Sequence, residues 1–336
     1  MTYLVSTISK IEALCISIVR LVFTVPRVVP GDMFPAHISG YRLIRVCEPE
    51  KPTSVYAIAL YRNAAGKEAF AKQWYGRTWC IARHLMKNEI HFYRAFHALS
   101  SEQKKRLKKQ FGDIYIPKLI YAECTPARVL FLVEKAKGAC IGVLSPQKRL
   151  DVLDKAMSYF AYVDHVMPRI SKRVLIQRKR LYFFATFPMI ATRALLRYPS
   201  FLFIMIRASA SIIRHAAVLF VAPEYRLIHR DLNRDNVRYD GKRISVIDFQ
   251  VSGITYPEFE IAHTIASYWR EPLFVKRLLS GKAMRGIQKD KVHFLRFKAV
   301  SYWIALHWLS SRSRKEYKTA RSYFLFVHDF SYERTK

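Results

Sequence analysis

Between positions 229 and 250 the chain reads His229-Arg230-Asp231-Leu232-Asn233-Arg234-Asp235-Asn236 and then, twelve residues after Asn236, Asp248-Phe249-Gln250. A carboxylate, a carboxamide five residues on and a second carboxylate returned by a hairpin form a set suited to phosphoryl transfer. In such a set Asp231 accepts the proton of an attacking hydroxyl, while the Asn236 amide oxygen and Asp248 hold Mg2+ on the phosphates. A nucleotide also needs a cation for its phosphates and an edge for its base. Lys72, between Phe70 and Trp74 in a strand-like segment, is the candidate cation. Its partner is signalled by an anomaly: Leu85, Phe92 and Phe96 form an apolar helical stripe, and Glu89 falls on that stripe. A carboxylate facing a core is costly unless paired, and Lys72 supplies the pair. Backbone groups at Glu134, Lys135 and Ala136 are the candidates for adenine. The cofactors expected are therefore ATP and Mg2+.

The elements that position these residues show as changes of period. Tyr41–Cys47, Val55–Tyr61 and Ala69–Trp74 read as a three-strand meander, turned at Glu48–Ser54 and at Asn63-Ala64-Ala65-Gly66. A helix from Thr78 to about Ala98 carries Glu89. Strands are expected at Ile114–Ala122 and Val129–Glu134, and Gly138 then marks a connector. Beyond that connector Leu150–Val166 is the clearest helix. Short strands return at Tyr225–His229, Val237–Asp240 and Arg243–Phe249, the last two joined at Asp240-Gly241. From about Glu258 the chain reads as helical and basic. At the N-terminus Ile8, Ile11, Cys15, Ile18 and Val22 recur at helical spacing, which suits either packing on the domain or lying in a membrane interface. No stretch there approaches the roughly 18 uninterrupted apolar residues of a spanning helix.

The H-R-D-L-x-x-x-N loop with its D-F-x variant resembles the protein-kinase-like superfamily. Three details separate the chain from eukaryotic protein kinases: residues 41–61 hold no G-x-G-x-x-G, Gln250 stands where a glycine follows Asp-Phe, and no A-P-E follows. Pro257-Glu258-Phe259-Glu260-Ile261-Ala262 is instead similar to the segment after the metal-binding aspartate of aminoglycoside- and choline-type phosphotransferases. Asp231-Leu232-Asn233-x-x-Asn236 is similar to the loop of bacterial lipopolysaccharide kinases of the Kdo/heptose type. The resemblance implies an α+β, two-lobe kinase-like fold: an amphipathic segment 1–36, an N-lobe at 37–135 with a small antiparallel sheet and one helix, and a mainly helical C-lobe at 136–336. It also implies architectural roles for His229 and Arg230.

Charge narrows the acceptor. The 336 residues carry 57 Lys+Arg against 25 Asp+Glu, a net +32, on a chain that is 51% hydrophobic. That apolar content excludes a disordered basic tail, so the charge sits on something folded with anions as its partners. Residues 165–223 hold ten Lys+Arg and no acid, with apolar blocks at Leu181–Ile190 and Phe201–Ile206. In the resembled enzymes this region helps build the acceptor site, and a cationic acceptor would need carboxylates there. The expectation is thus a kinase for a hydroxyl of an anionic or membrane-associated acceptor, such as lipopolysaccharide or a lipid-linked saccharide. It would be cytoplasmic and peripheral on the inner face of an anionic membrane. A protein Ser/Thr kinase, a small-molecule kinase and a non-catalytic membrane- or RNA-binding module are the alternatives, with nucleic acid ranked last. Five scattered cysteines, Cys15, Cys47, Cys80, Cys124 and Cys140, form no C-x-x-C pair and read as a reduced protein.

Overall fold

A computed structural model describes residues 34–47, 56–75, 81–112, 114–197, eight positions between 203 and 220, 224–311 and 317–330. The N-terminal helix expected around Ile8–Val22, the turn at 48–54 and most of the block 201–206 lie outside the described residues. The chain divides into two units, 1–98 with 116–136, and 99–115 with 137–336.

The first unit holds β1 (His37–Ile38), β2 (Tyr41–Cys47), β3 (Ala57–Asn63), β4 (Glu68–Tyr75) and α1 (Ile81–His97). After an excursion into the second unit the chain returns with β6 (Leu119–Cys124) and β7 (Arg128–Glu134). All pairings are antiparallel, in the order β1-β2-β3-β4-β7-β6. Strand pleat sorts the side chains. Ala57, Ala59, Tyr61, Ala69, Ala71, Leu130 and Leu132 build a core on one face with Phe34 and Ile38, and small residues at 69 and 71 let that layer close. Lys72 falls on the other face, opposite Phe131, where α1 packs its Tyr93 at 6.5 Å between ring centres.

The second unit opens with a helix that hydrophobic periodicity did not reveal, α2 (Ser101–Phe111). It buries only Leu107, so its apolar signal is weak; its sequence signal is a capping box, Ser100 with Gln103. The expected strand Ile114–Ala122 is two strands in two sheets. β5 (Ile114–Tyr115) joins the second unit, and β6 starts only after Ile116-Pro117-Lys118, where Pro117 has no N–H to continue a ladder. Residues 99–115, expected in the N-lobe, group with the C-terminal unit, where Phe111 packs against Tyr159 and Ile114–Tyr115 pair with Ile244–Ser245.

Then come β8 (Ala139–Cys140), α3 (Pro146–Val166), α4 (Arg169–Arg173), β9 (Ile176–Gln177) and α5 (Arg180–Arg197). These are succeeded by β10 (Arg226–Ile228), β11 (Val237–Tyr239), β12 (Ile244–Val246) and β13 (Gly253–Thr255). The strands form two small sheets, β5-β12-β11-β8 and β10-β13-β9. Two glycines permit close approaches. A Cβ at Gly138 would stand 2.5 Å from the Tyr239 carbonyl carbon, and one at Gly253 would stand 2.3 Å from Ile176 O. The helices α6 (Glu258–Ser267), α7 (Pro272–Ser280), α8 (Lys282–Lys289), α9 (Lys291–Ser311) and α10 (Tyr317–Asp329) complete the unit. Phe297, Val300, Trp303, Ile304 and Leu306 make α9 the centre of this core. Lys298 in α9 closes the end of α10 by donating to the carbonyls of Val327, His328 and Phe330. Among the described residues no helix is long and apolar enough to cross a membrane.

Candidate active site

In the first unit the anomaly on α1 is resolved. Lys72 Nζ donates to both Glu89 oxygens, at 2.9 and 3.2 Å, with the side chains 13% and 1% exposed. Glu89 is one turn from Leu85 and from Tyr93, whose hydroxyl lies 3.5 Å from Oε1. The ammonium also lies 5.3 Å from the centre of the Tyr56 ring and 6.0 Å from that of Phe131. Aromatic walls and one buried carboxylate fix a lysine that would otherwise sweep a wide arc.

The adenine candidates separate. The Glu134 N–H donates to Lys118 O at 3.0 Å and the Lys135 N–H to Glu68 O at 3.0 Å. The Lys135 ammonium pairs with Glu68 at 2.6 Å. Sheet pairing therefore takes both N–H groups, and an adenine acceptor would be served by the N–H of Ala136. The expectation is narrowed to one donor because the ladder runs on past the end of β7.

In the second unit the loop after β10 is held by its own side chains. Asn233 Oδ1 accepts the N–H groups of Asp235 (2.8 Å) and Asn236 (3.0 Å), a turn built on an asparagine side chain. Asn233 Nδ2 donates to Asp231 Oδ1 at 2.9 Å, and Asn236 Nδ2 donates to Asp231 Oδ2 and to its carbonyl, both at 3.0 Å. Since the Asn236 NH2 is spent on Asp231, its amide oxygen is the end left to meet a cation. His263 Nδ1 lies 3.9 Å from Asp231 Oδ1. Arg234 and Asp235 are exposed and 3.8 Å apart.

The expected framework roles of His229 and Arg230 have definite geometry. His229 Nδ1 receives the Asp231 N–H at 3.2 Å, so the ring proton sits on Nε2, which donates to Ile247 O at 3.0 Å. One imidazole thus ties the loop to the segment presenting Asp248. Arg230 has φ +72° and its N–H donates to both Glu260 oxygens at 3.0 Å. Glu260 is the functional residue to which sequence patterning assigns no role. It lies inside Phe259-Glu260-Ile261-Ala262, and the logic that singles out Glu89 applies to it unchanged. Burial raises its carboxyl from 4.5 to about 7.

Asp248 also sits in the left-handed region, at φ +66° and ψ +66°. Gln250 Nε2 donates to its Oδ2 at 3.3 Å, so the residue replacing glycine touches the carboxylate. Burial first, and then the charge of Asp248, raise Asp231 to about 6, against the donors from Asn233 and Asn236. The Asp248 carboxylate, close enough to act on Asp231, and the uncommitted Asn236 amide oxygen suit a divalent cation. Among the described residues no group of three or more His, Cys, Asp or Glu could hold a metal. Asn236 and Asp248 would therefore hold it together with phosphate and water oxygens.

The sequence matches the phosphotransferase enzyme family, APH, over residues 105–293, more than half of the chain. No curated protein matches it. Among solved structures the chain is similar to a thermostable mutant of aminoglycoside phosphotransferase APH(4)-Ia in ternary complex with AMP-PNP and hygromycin B. That likeness has 16% identity, covers 85% of this chain and 92% of the other, and has a TM-score of 0.57. It is also similar to the amicoumacin kinase hAmiN in complex with AMP-PNP, Ca2+ and Ami, at 13% identity, with 87% and 89% covered and a TM-score of 0.51. These likenesses show the kinase-like fold, a small antiparallel sheet with its helix and a mainly helical second unit.

Proposed function

Since the chain belongs to the phosphotransferase enzyme family, we propose that it uses ATP and Mg2+ to phosphorylate a hydroxyl of an anionic or membrane-associated acceptor, a glycolipid such as lipopolysaccharide or a lipid-linked saccharide. The observation that carries the transfer is the Asp231–Asn233–Asn236 network with Asp248 beside it. Asp231, raised to about 6, is ionised at neutral pH and basic enough to take the acceptor hydroxyl's proton as that oxygen attacks the γ-phosphorus. Asn233 and Asn236 orient its two oxygens. Lys72, positioned by Glu89, neutralises α- and β-phosphate charge, and the Ala136 N–H serves adenine. When bound between Asn236, Asp248 and the phosphates, Mg2+ supplies charge neutralisation for the transferred group.

The anionic, membrane-associated acceptor is supported by the ten Lys+Arg and absent acids of 165–223. Ile170 and Val174, one helical turn apart, Leu181 and Phe203 stand exposed in the same stretch. Apolar side chains presented among cations suit the headgroup zone of an anionic membrane, at about 1 kcal/mol per basic residue near the surface. This favours a cytoplasmic enzyme peripheral on the inner face. The two solved structures to which the chain is similar hold hygromycin B and Ami, and a small-molecule acceptor is the competing reading.

The test is incubation with labelled ATP and separated lipid, protein and small-molecule fractions of the host. Label is expected in the lipid fraction and absent with Asp231→Asn, which still binds nucleotide. Label confined to protein or small molecules overturns the acceptor, and an unimpaired Asp231→Asn overturns the base.

A further inference from the structure

Arg178 and Lys179 lead directly into α5, an 18-residue helix with no acid in its first turn. A helix N-terminus carries about half a positive charge, so cations are unfavourable there unless an anion joins them. Arg178 is nonetheless only 7% exposed. Its N–H donates to Ile254 O at 2.8 Å and its Nη1 to Val251 O at 2.7 Å, which anchor it to the segment around β13, while its Nε has no partner. Among the described residues no carboxylate pairs with it.

A second guanidinium stands beside it. Arg230, the residue immediately before Asp231, lies 4.6 Å from the Phe259 ring centre and 5.8 Å from that of Trp303. The Arg178 guanidinium lies 5.6 Å from the centre of the Tyr182 ring, in the first turn of α5, and both Arg178 and Arg230 act on its phenol. Two cations thus converge on one neutral phenol near the start of α5. The electrostatics agree: burial and the repulsion of Arg230 lower Arg178 to about 9. Burial pushes the Tyr182 phenol up, but Arg230 and Arg178 outweigh it and the net direction is down. Glu260, the nearest carboxylate to Arg230 along α6, is engaged by the backbone of the catalytic loop. Guanidinium forks match carboxylate and phosphate oxygens, and Tyr182 occupies the place where such oxygens would be received.

We propose that Arg178 and Arg230, with the N-terminus of α5, form a subsite for an anionic group, carboxylate or phosphate, carried by the acceptor beside Asp231. This rests on the reading of the acceptor as an anion, and it makes Arg178 a specificity determinant.

The probe is inorganic phosphate, titrated calorimetrically into the full chain saturated with AMP-PNP and Mg2+ so that the nucleotide's own phosphate positions are filled. One saturable site is expected, weakened at least tenfold by Arg178→Gln and unchanged by Lys67→Gln at an exposed turn. Equal binding to Arg178→Gln, or none to the parent chain, overturns the subsite. Should Arg178→Gln unfold, Tyr182→Phe decides, because it keeps both guanidiniums and removes only their shared oxygen. Phosphate then binds as tightly or more tightly; weaker binding shows a purely structural pair. With the phosphorylated host fraction as acceptor, phosphate raises the acceptor KM without lowering kcat. Inhibition that acceptor cannot relieve means a free-phosphate site and refutes the assignment to the acceptor. If the lipid fraction takes no label, the titration still reads the subsite, so the two conclusions fail separately.

Discussion

Glu260→Gln isolates what the buried carboxylate beneath the catalytic loop does. In the unfolded chain this group ionises near 4.5, and in the folded chain at about 7, because burial disfavours its charge. A carboxyl raised on folding binds its proton more tightly in the native state, so stability is lost as pH rises from about 4.5 through about 7. At about 1.4 kcal/mol per tenfold the full loss is about 3 kcal/mol. Glutamine cannot ionise and escapes that loss. It also offers one oxygen where Glu260 offers two to the Arg230 N–H, with the His229 N–H nearby, and a lost acceptor costs about 1–2 kcal/mol. Because the parent has already lost about 1 kcal/mol of its pH-dependent stability at pH 5, the variant is expected to be less stable than the parent by up to about 1 kcal/mol at pH 5 and more stable by about 1–2 kcal/mol at pH 8. Urea denaturation of both proteins at the two pH values reads the crossing. Phosphotransfer should fall at both, because Arg230 holds its left-handed backbone with one acceptor fewer. A variant that is more destabilised at pH 8 than at pH 5 would refute the argument that burial, not binding, dominates at Glu260.

Two further outcomes test the framework. Lys72→Met, which strands a 1%-exposed carboxylate, should destabilise by about 3 kcal/mol, and Glu89→Gln, which leaves a lysine with some access to water, by less. Both should weaken AMP-PNP binding in calorimetry, and the reverse order of stabilities would contradict the burial argument. Gly253→Ala should cost more than about 2 kcal/mol in thermal or urea unfolding, because its Cβ would stand 2.3 Å from Ile176 O and force β9 off β13; a neutral result would show that β9 is not held there.

How far the site is legible in the sequence depends on how local its forces are. The Asp231–Asn233–Asn236 network closes within six residues, so its chemistry reads directly from spacing. Glu89 is legible because a charge on an apolar stripe violates burial rules. Glu260 violates them equally, and its role becomes visible only where its oxygens meet the Arg230 N–H. α2 escapes because a helix that buries one leucine has almost no periodicity, leaving only its cap as a signal. The partition of the adenine-edge N–H groups depends on strand register, and the Arg178–Tyr182–Arg230 cluster joins segments about fifty residues apart. No pattern in the sequence encodes either.

The excursion of residues 99–115 has a consequence for how the chain is made. The backbone passes between the two units after 98, after 115 and after 136, so neither is one continuous stretch that a single cut could release. Ile114 and Tyr115 pair in parallel with Ile244 and Ser245, which emerge from the ribosome about 130 residues later. During synthesis, then, the antiparallel sheet can complete itself at Glu134 while β5 waits without its neighbour. The sheet that takes in β5 closes only once the β11–β12 hairpin just before Asp248 has been made, so that pairing and the candidate cation-holding carboxylate arrive together, late in synthesis.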